Sequence, residues 1–144
     1  MKRILVADDE AACQSIVRLM TPIGIKVDYA TSGQDAFDML CSAREEGHPY
    51  DMILLDWKMP QLNGFETARL IREKYSDEIP ILLLTAYDWN DIEQEAMEIG
   101  IQHFMPKPFF LSTFKNVVGR IMDDANKKEE KERTTTWYGA STSL

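Results

Sequence analysis

Cysteine is scarce in this chain: Cys13 and Cys41 are the only two in 144 residues, and neither sits in a Cys-x-x-Cys pair or a Cys/His cluster. That spacing speaks against a disulfide scaffold and a structural zinc site, and two lone thiols fit a reducing cytosol. Long apolar runs are missing as well. No stretch approaches a membrane span or a signal-peptide core, so a soluble, cytoplasmic protein with no membrane insertion is expected. Basic patches are missing too: the lysines and arginines form no long stripe, and a net charge of −8 repels nucleic acid, so no direct nucleic-acid binding is expected. Glycine is absent where a phosphate cradle needs it, because the first apolar run ends in Asp8-Asp9-Glu10; this disfavours a nucleotide or flavin carrier. With no internal repeat and 44% apolar residues, the chain can bury one core and has no room for two.

What is present recurs. Four apolar runs each end in a reactive group: Ile4-Leu5-Val6 before Asp8-Asp9, Ile53-Leu54-Leu55 before Asp56, Ile81 to Leu84 before Thr85, and Ile101 to Met105 before Lys107. In a parallel α/β sheet, ligand chemistry collects beyond the carboxyl ends of the strands, so groups distant in sequence can converge there. Three acids, a hydroxyl and an ammonium are the groups that phosphoryl transfer uses.

Between these runs the period changes from strand-like to helical. A strand over 2–7 precedes a helix over 11–22 bearing Ala12, Ile16, Leu19 and Met20, closed by Pro22 and Gly24. Ile25 to Ala30 reads as a second strand, and Ser32 can cap a helix whose Ala36, Phe37 and Leu40 share a face, ending near Gly47-His48-Pro49. Met52 to Leu55 reads as the third strand, followed by a loop with Pro60 and Asn63-Gly64 and a helix through Phe65, Ala68, Ile71 and Tyr75 to Ser76. Asp88 or Asn90 can cap a mostly polar, loosely held fourth helix that Gly100 stops. A fifth helix over 111–124 is anchored by Leu111, Phe114, Val117, Val118, Ile121 and Met122. Five βα units predict an α/β fold, a doubly wound five-stranded parallel sheet with five helices, but periodicity leaves the strand order open.

The residues thus collected resemble the receiver domain of two-component response regulators over roughly residues 2–124. The matching text is VADDE at the first strand end, ILLDWKMPQLNG around Asp56, LLLTA through Thr85, and KPF from Lys107. The resemblance implies a flavodoxin-like strand order of 2-1-3-4-5, which sets Asp8 and Asp9 beside Asp56 at the switch point. It divides the chain into a receiver domain over 1–125 and a charged tail over 126–144, expected to be frayed or disordered. The stretch TAYDWNDIEQEAMEIG is similar to receivers at the C-terminal ends of hybrid sensor kinases, so the chain is expected to be a stand-alone receiver or one cut from a larger protein.

Roles follow from the same resemblance and from the chemistry of the groups. Clustered carboxylates repel one another unless a cation neutralises them, and Mg²⁺, hard and oxygen-seeking, suits that task. The resemblance implies that Asp9 and Asp56 ligate it directly, Asp8 largely through water, and Lys58 by its backbone carbonyl. Asp56 is the expected phosphoacceptor, since an ionised carboxylate can attack phosphorus in line. Lys107 would offset charge on the transferring oxygens, and the Thr85 hydroxyl would report the acyl phosphate. Phe104 occupies the place of the family's inward-turning aromatic; where relatives carry Tyr there, Phe has no hydroxyl. Pro106 and Pro108 leave Lys107 the only backbone donor of the three, and the resemblance implies a cis bond after the lysine. The implied partner is a sensor histidine kinase or histidine phosphotransfer domain, docking near the first helix. Output is expected through the fourth helix, fifth strand and fifth helix, the face that would also serve a homodimer.

Each residue also has a plainer reading. Asp8, Asp9 and Glu10 alone could be a helix-start acid cluster, and Asp56 alone a turn residue. His48 reads as a solvated turn residue and His103 as part of the fifth strand, without metal-ligand spacing. Trp57 and Tyr87 divide evenly between rim packing and control of water access to the site, a control in which Lys58 is also a candidate. A phosphorylation-independent interaction module of the same fold is one alternative. The other is an Mg-dependent phosphatase with an aspartate nucleophile, but such enzymes place a second Asp two residues on, where this chain has Lys58.

Overall fold

The computed structural model describes residues 2–59, 62–75, 79–86, 89–101 and 103–121. Ser76, Tyr87, Asp88, Met122 and the tail over 126–144 lie outside the described residues, and so do the expectations placed on them.

The elements alternate as the period predicts: β1 (Arg3–Ala7), α1 (Glu10–Met20), β2 (Lys26–Ala30), α2 (Gly33–Glu45), β3 (Met52–Asp56), α3 (Gly64–Tyr75), β4 (Ile81–Thr85), α4 (Trp89–Ile99) and β5 (His103–Pro106). A further helix, α5, runs over 111–121. All strand pairs are parallel, in the order β2-β1-β3-β4-β5.

The sheet is apolar on both faces, which is why its central strands read as continuous apolar runs and not as alternation. On one face Leu5, Ile53, Leu55, Ile81 and Leu83 pack with Ala36, Leu40, Phe65, Ala68, Ile71, Ile92 and Ala96 of α2, α3 and α4. On the other, Ile4, Val6, Met52, Leu54, Leu82 and Leu84 pack with Cys13, Ile16 and Met20 of α1 and with Phe114, Val117 and Ile121 of α5. Odd and even residues of each strand thus serve different helices. The fourth helix, expected to be loosely held, is seated by buried Ile92 and Ala96 while Met97 is 62% exposed.

Some boundaries differ from expectation. The first helix ends at Met20, and Pro22 lies inside a 3-10 turn over Thr21–Ile23, whose end is closed by Gly24 at φ +83. Proline at the first turn of such a segment costs no hydrogen bond, so it opens a new turn where it was expected to close the helix. Ser32 caps α2 as expected, accepting from the Asp35 N–H at 3.1 Å. Asn90, one of the two candidate caps of α4, instead lies inside a helix that starts at Trp89. The fifth strand starts at His103 and extends through Pro106, later than Ile101–Met105, because the Ile101 N–H is still bonded to Ala96 O at 2.9 Å.

Candidate functional site

The four reactive groups meet at one end of the sheet because the backbone ladder continues just past each strand. The Asp8 N–H donates to Ala30 O at 3.3 Å, the Trp57 N–H to Leu84 O at 2.9 Å, and the Lys107 N–H to Thr85 O at 2.9 Å. Lys107 makes that bond as the one donor between two prolines, and its bond to Pro108 is cis, as the resemblance implies.

Three of the predicted residues converge tightly. Lys107 Nζ lies 3.0 Å from both carboxylate oxygens of Asp8 and 3.1 Å from Asp56 Oδ1. Asp8 is only 1% exposed, and Asp56 and Thr85 are also buried. Asp8 Oδ1 additionally accepts from the Asp9 N–H at 2.7 Å. Burial pushes the Asp8 carboxyl up to about 6, against the opposing bonds from Lys107 and the Asp9 amide. Burial pulls the Lys107 ammonium down, but its bonds to Asp8 and Asp56 outweigh this and hold it above its ordinary value.

Asp9 is placed differently from Asp8 and Asp56. Its Oδ1 accepts from the Ala12 N–H at 2.8 Å and caps α1. Among the described residues, no three His, Cys, Asp or Glu side chains come together as a metal cluster. The expected trio of close carboxylates is therefore a pair sharing a lysine, plus a helix cap; capping satisfies an otherwise unpaired amide of the first turn. The donor set still fits a hard cation. Two buried carboxylates share one ammonium, so the pair carries excess negative charge, and oxygen donors from Asp9 and Lys58 belong to the same end of the sheet.

The remaining predicted residues flank this centre. Lys58 is exposed, two residues past Asp56. Phe104 is half-buried against the core cluster on the α4 side and registers with Leu83 across the β4–β5 pair. Trp57 is half-buried and packs its ring 5.3 Å from that of Phe65, the contact expected of rim packing. His48 and His103 lie outside the acid–lysine centre, as their sequence reading predicts.

Gly64, expected in a loop and found at the start of α3, bears directly on the site. Its N–H bonds Trp57 O at 2.9 Å, and a Cβ at this position would come within 2.5 Å of Asp56 O. The Asn63-Gly64 pair signalled a turn, but nothing local in the sequence indicated that the turn folds back onto the main chain of the acceptor residue.

The Asp8 shift has a testable sign. Its folded-state value lies above the unfolded one, so above about pH 6 the ionised carboxylate opposes folding, and this penalty is relieved as pH falls toward about 4. In metal-free protein, stability relative to Asp8→Asn should therefore rise on going from about pH 7 to about pH 5, by on the order of 1–2 kcal/mol. Urea unfolding of both proteins at the two pH values checks this; a change of opposite sign refutes it.

Comparison with known proteins places this geometry. The family model described as "Response regulator receiver domain" matches residues 4–118. The response regulator MprA of Mycolicibacterium vanbaalenii is 37% identical over 110 residues, which cover 76% of this chain and 45% of that protein. The probable histidine kinase 2 of Oryza sativa subsp. indica is 36% identical over 118 residues, covering 73% of this chain and 11% of that protein. The chain thus spans less than half the length of these curated relatives. Among solved structures, the chemotaxis protein CheY4 of Vibrio cholerae superposes with a TM-score of 0.74 at 27% identity, covering 83% of this chain and 98% of that one. The receiver domain of the histidine kinase CKI1 from Arabidopsis thaliana, complexed with Mg²⁺ and BeF₃⁻, does so with a TM-score of 0.73 at 26% identity, covering 85% and 90%. A parallel sheet in the order 2-1-3-4-5, with an acid pair and a lysine at its carboxyl end, accompanies a family match over most of its length: the chain belongs to the response regulator receiver domain family of two-component signalling.

Proposed function

We propose that this receiver accepts a phosphoryl group on Asp56 from a phosphohistidine donor and signals through its α4-β5-α5 face. The observation that carries this reading is the Lys107 ammonium, 3.1 Å from Asp56 Oδ1 and shared with Asp8 at the mouth of the switch point. An Asp56 oxygen attacks phosphorus in line, the phosphorus–nitrogen bond to the donor breaks, and the imidazole departs. Lys107, already fixed in place, offsets the charge spread over the transferring oxygens without reorganising. Asp9, Asp56 and the Lys58 carbonyl would hold Mg²⁺, with Asp8 acting largely through water. When bound, Mg²⁺ would supply the second positive charge that two carboxylates and a phosphoryl group require.

Once Asp56 is phosphorylated, the Thr85 hydroxyl donates to a phosphoryl oxygen, and Phe104 turns into the space that Thr85 leaves. The donor is a histidine kinase or histidine phosphotransfer domain. A groove of about 480 Å³ lined by Asp8, Ala12, Leu19, Lys107 and Phe109 opens beside the acid pair and gives such a donor an approach along α1. The similarity to the rice histidine kinase supports a receiver that works within, or next to, such a kinase. No helix among the described residues is long and apolar enough to cross a membrane. A cytoplasmic location is part of the proposal. A homodimer through α4-β5-α5 is the corresponding proposal for self-association.

Incubation with a small phosphodonor and Mg²⁺ should add one hydroxylamine-labile phosphoryl group, and Asp56→Asn should take none. An unmodified parent chain, or equal modification of the Asn variant, defeats the proposal.

A further inference from the structure

The segment after Asp56 ends at an unusually close contact with a different part of the chain. At the start of α2, a Cβ on Gly33 would lie 2.1 Å from Thr67 Oγ1, 2.4 Å from Leu62 O and 2.8 Å from Leu62 Cβ. Two of those neighbours are the main chain and Cβ of one residue, which cannot swing aside as the end of a flexible side chain can. Thr67 is fully buried, and both its N–H and its hydroxyl donate to Asn63 O, at 3.0 and 2.8 Å. Asn63 and Glu66 cap each other, with the Glu66 N–H on Asn63 Oδ1 at 2.9 Å and the Asn63 N–H on Glu66 Oε1 at 3.1 Å. The Gly64 N–H then closes the segment onto Trp57 O.

These contacts link two strand ends. The Asp8 N–H is bonded to Ala30 O, Ala30 leads through Ser32 into Gly33, and Gly33 bears on Leu62 and Thr67. The same segment begins at Trp57 and Lys58, directly after Asp56. The acids at the ends of β1 and β3 are thus referenced to each other a second time, through the start of α2, in addition to the direct β1–β3 pairing.

We propose that Thr67 is a positioning residue: by bearing on Gly33 and holding Asn63 O it keeps the Gly64 N–H on Trp57 O, and so fixes where the Lys58 carbonyl stands relative to Asp8 and Asp56. This rests on the phosphoacceptor reading for its purpose, but the brace itself is a property of the metal-free chain. Groups that hold metal ligands in place are commonly worth about 10–100-fold in metal affinity.

The test compares Gly33→Ala, Thr67→Val and Thr67→Ser with the parent. Gly→Ala at an open helix start ordinarily stabilises, and Thr67→Ser keeps the hydroxyl at the contact. Without metal or phosphodonor, hydrogen exchange at the Gly64 amide should quicken about tenfold relative to the Leu54 amide in β3 for Gly33→Ala and Thr67→Val, while Thr67→Ser stays close to the parent. Mg²⁺ affinity, read by titration alone, should fall about tenfold in the same two variants. A purely structural role would move both amides together and leave Mg²⁺ affinity unchanged, and that result overturns the proposal. So does an equal loss in Thr67→Ser. If Gly33→Ala fails to fold, the contrast between Val and Ser at position 67 still decides. A parent that ignores Mg²⁺ counts against the phosphoacceptor reading, and the exchange ratio still judges the brace.

Discussion

Replacing Lys107 with Met is expected to slow phosphorylation of Asp56 by about 10²–10³-fold, the usual consequence of deleting one preorganised charge from a transfer site. The side chain touches both acids, so its loss also acts on the resting protein. Asp8 is 1% exposed and loses its ion-pair partner, and an abandoned buried charge costs about 3–5 kcal/mol if it must stay ionised. It need not stay ionised. With its carboxyl already at about 6, Asp8 can take a proton near neutrality, which limits the loss to about 2 kcal/mol at pH 7. Below about pH 6 the acid is protonated in parent and variant alike, so the stability gap should narrow as pH falls. Lys107→Arg keeps the charge and should retain part of the rate. Timed intact-mass measurements with a small phosphodonor read the first effect, and urea midpoints at two pH values read the second. Parent-like phosphorylation in Lys107→Met would remove the lysine from the mechanism.

Phe114→Ala should cost about 3–5 kcal/mol, the range for deleting a buried aromatic side chain. Phe114 is 1% exposed and is among the largest fully buried side chains. It belongs to the core cluster that includes Val6, Leu54 and Leu84 of the sheet, and its ring lies tilted 5.5 Å from that of Phe109. Phe109 lies two residues from Lys107, so the cavity should loosen the loop that carries the ammonium as well as the helix. Urea unfolding measures the stability, and hydrogen exchange in residues 107–121 should rise more than in β3. A loss below about 1 kcal/mol would mean that α5 contributes little to holding this face closed.

The sequence disclosed the elements better than their ends. Apolar runs such as Ile53-Leu54-Leu55 could be placed in strands because both faces of the sheet are covered, while amphipathic segments took the helical period. Ends depend on single hydrogen bonds. Ile101 opens the apolar run before Lys107, yet it belongs to the close of α4, because a bond to Ala96 O outweighs its β-branched preference. Strand order was beyond periodicity altogether and came from resemblance. In the site, Asp8, Asp56 and Lys107 were legible as strand-end groups and do meet. Asp9 also caps α1, a demand of the first helical turn that a run of acids at a strand end does not announce. Gly33 and Thr67 left no signal, since their importance lies in a contact across 34 positions of sequence.

The exposed margin of β5 has a consequence for assembly. This strand is four residues long, stands at the end of the sheet beside β4, and finishes in Pro106, which has no N–H, with Pro108 close behind. A visiting strand would find a rail too short to hold it and missing a rung at its last position. Association at this margin must therefore be written in side chains, which can discriminate among partners. A main-chain edge would accept any extended segment, and here proline has withdrawn that invitation.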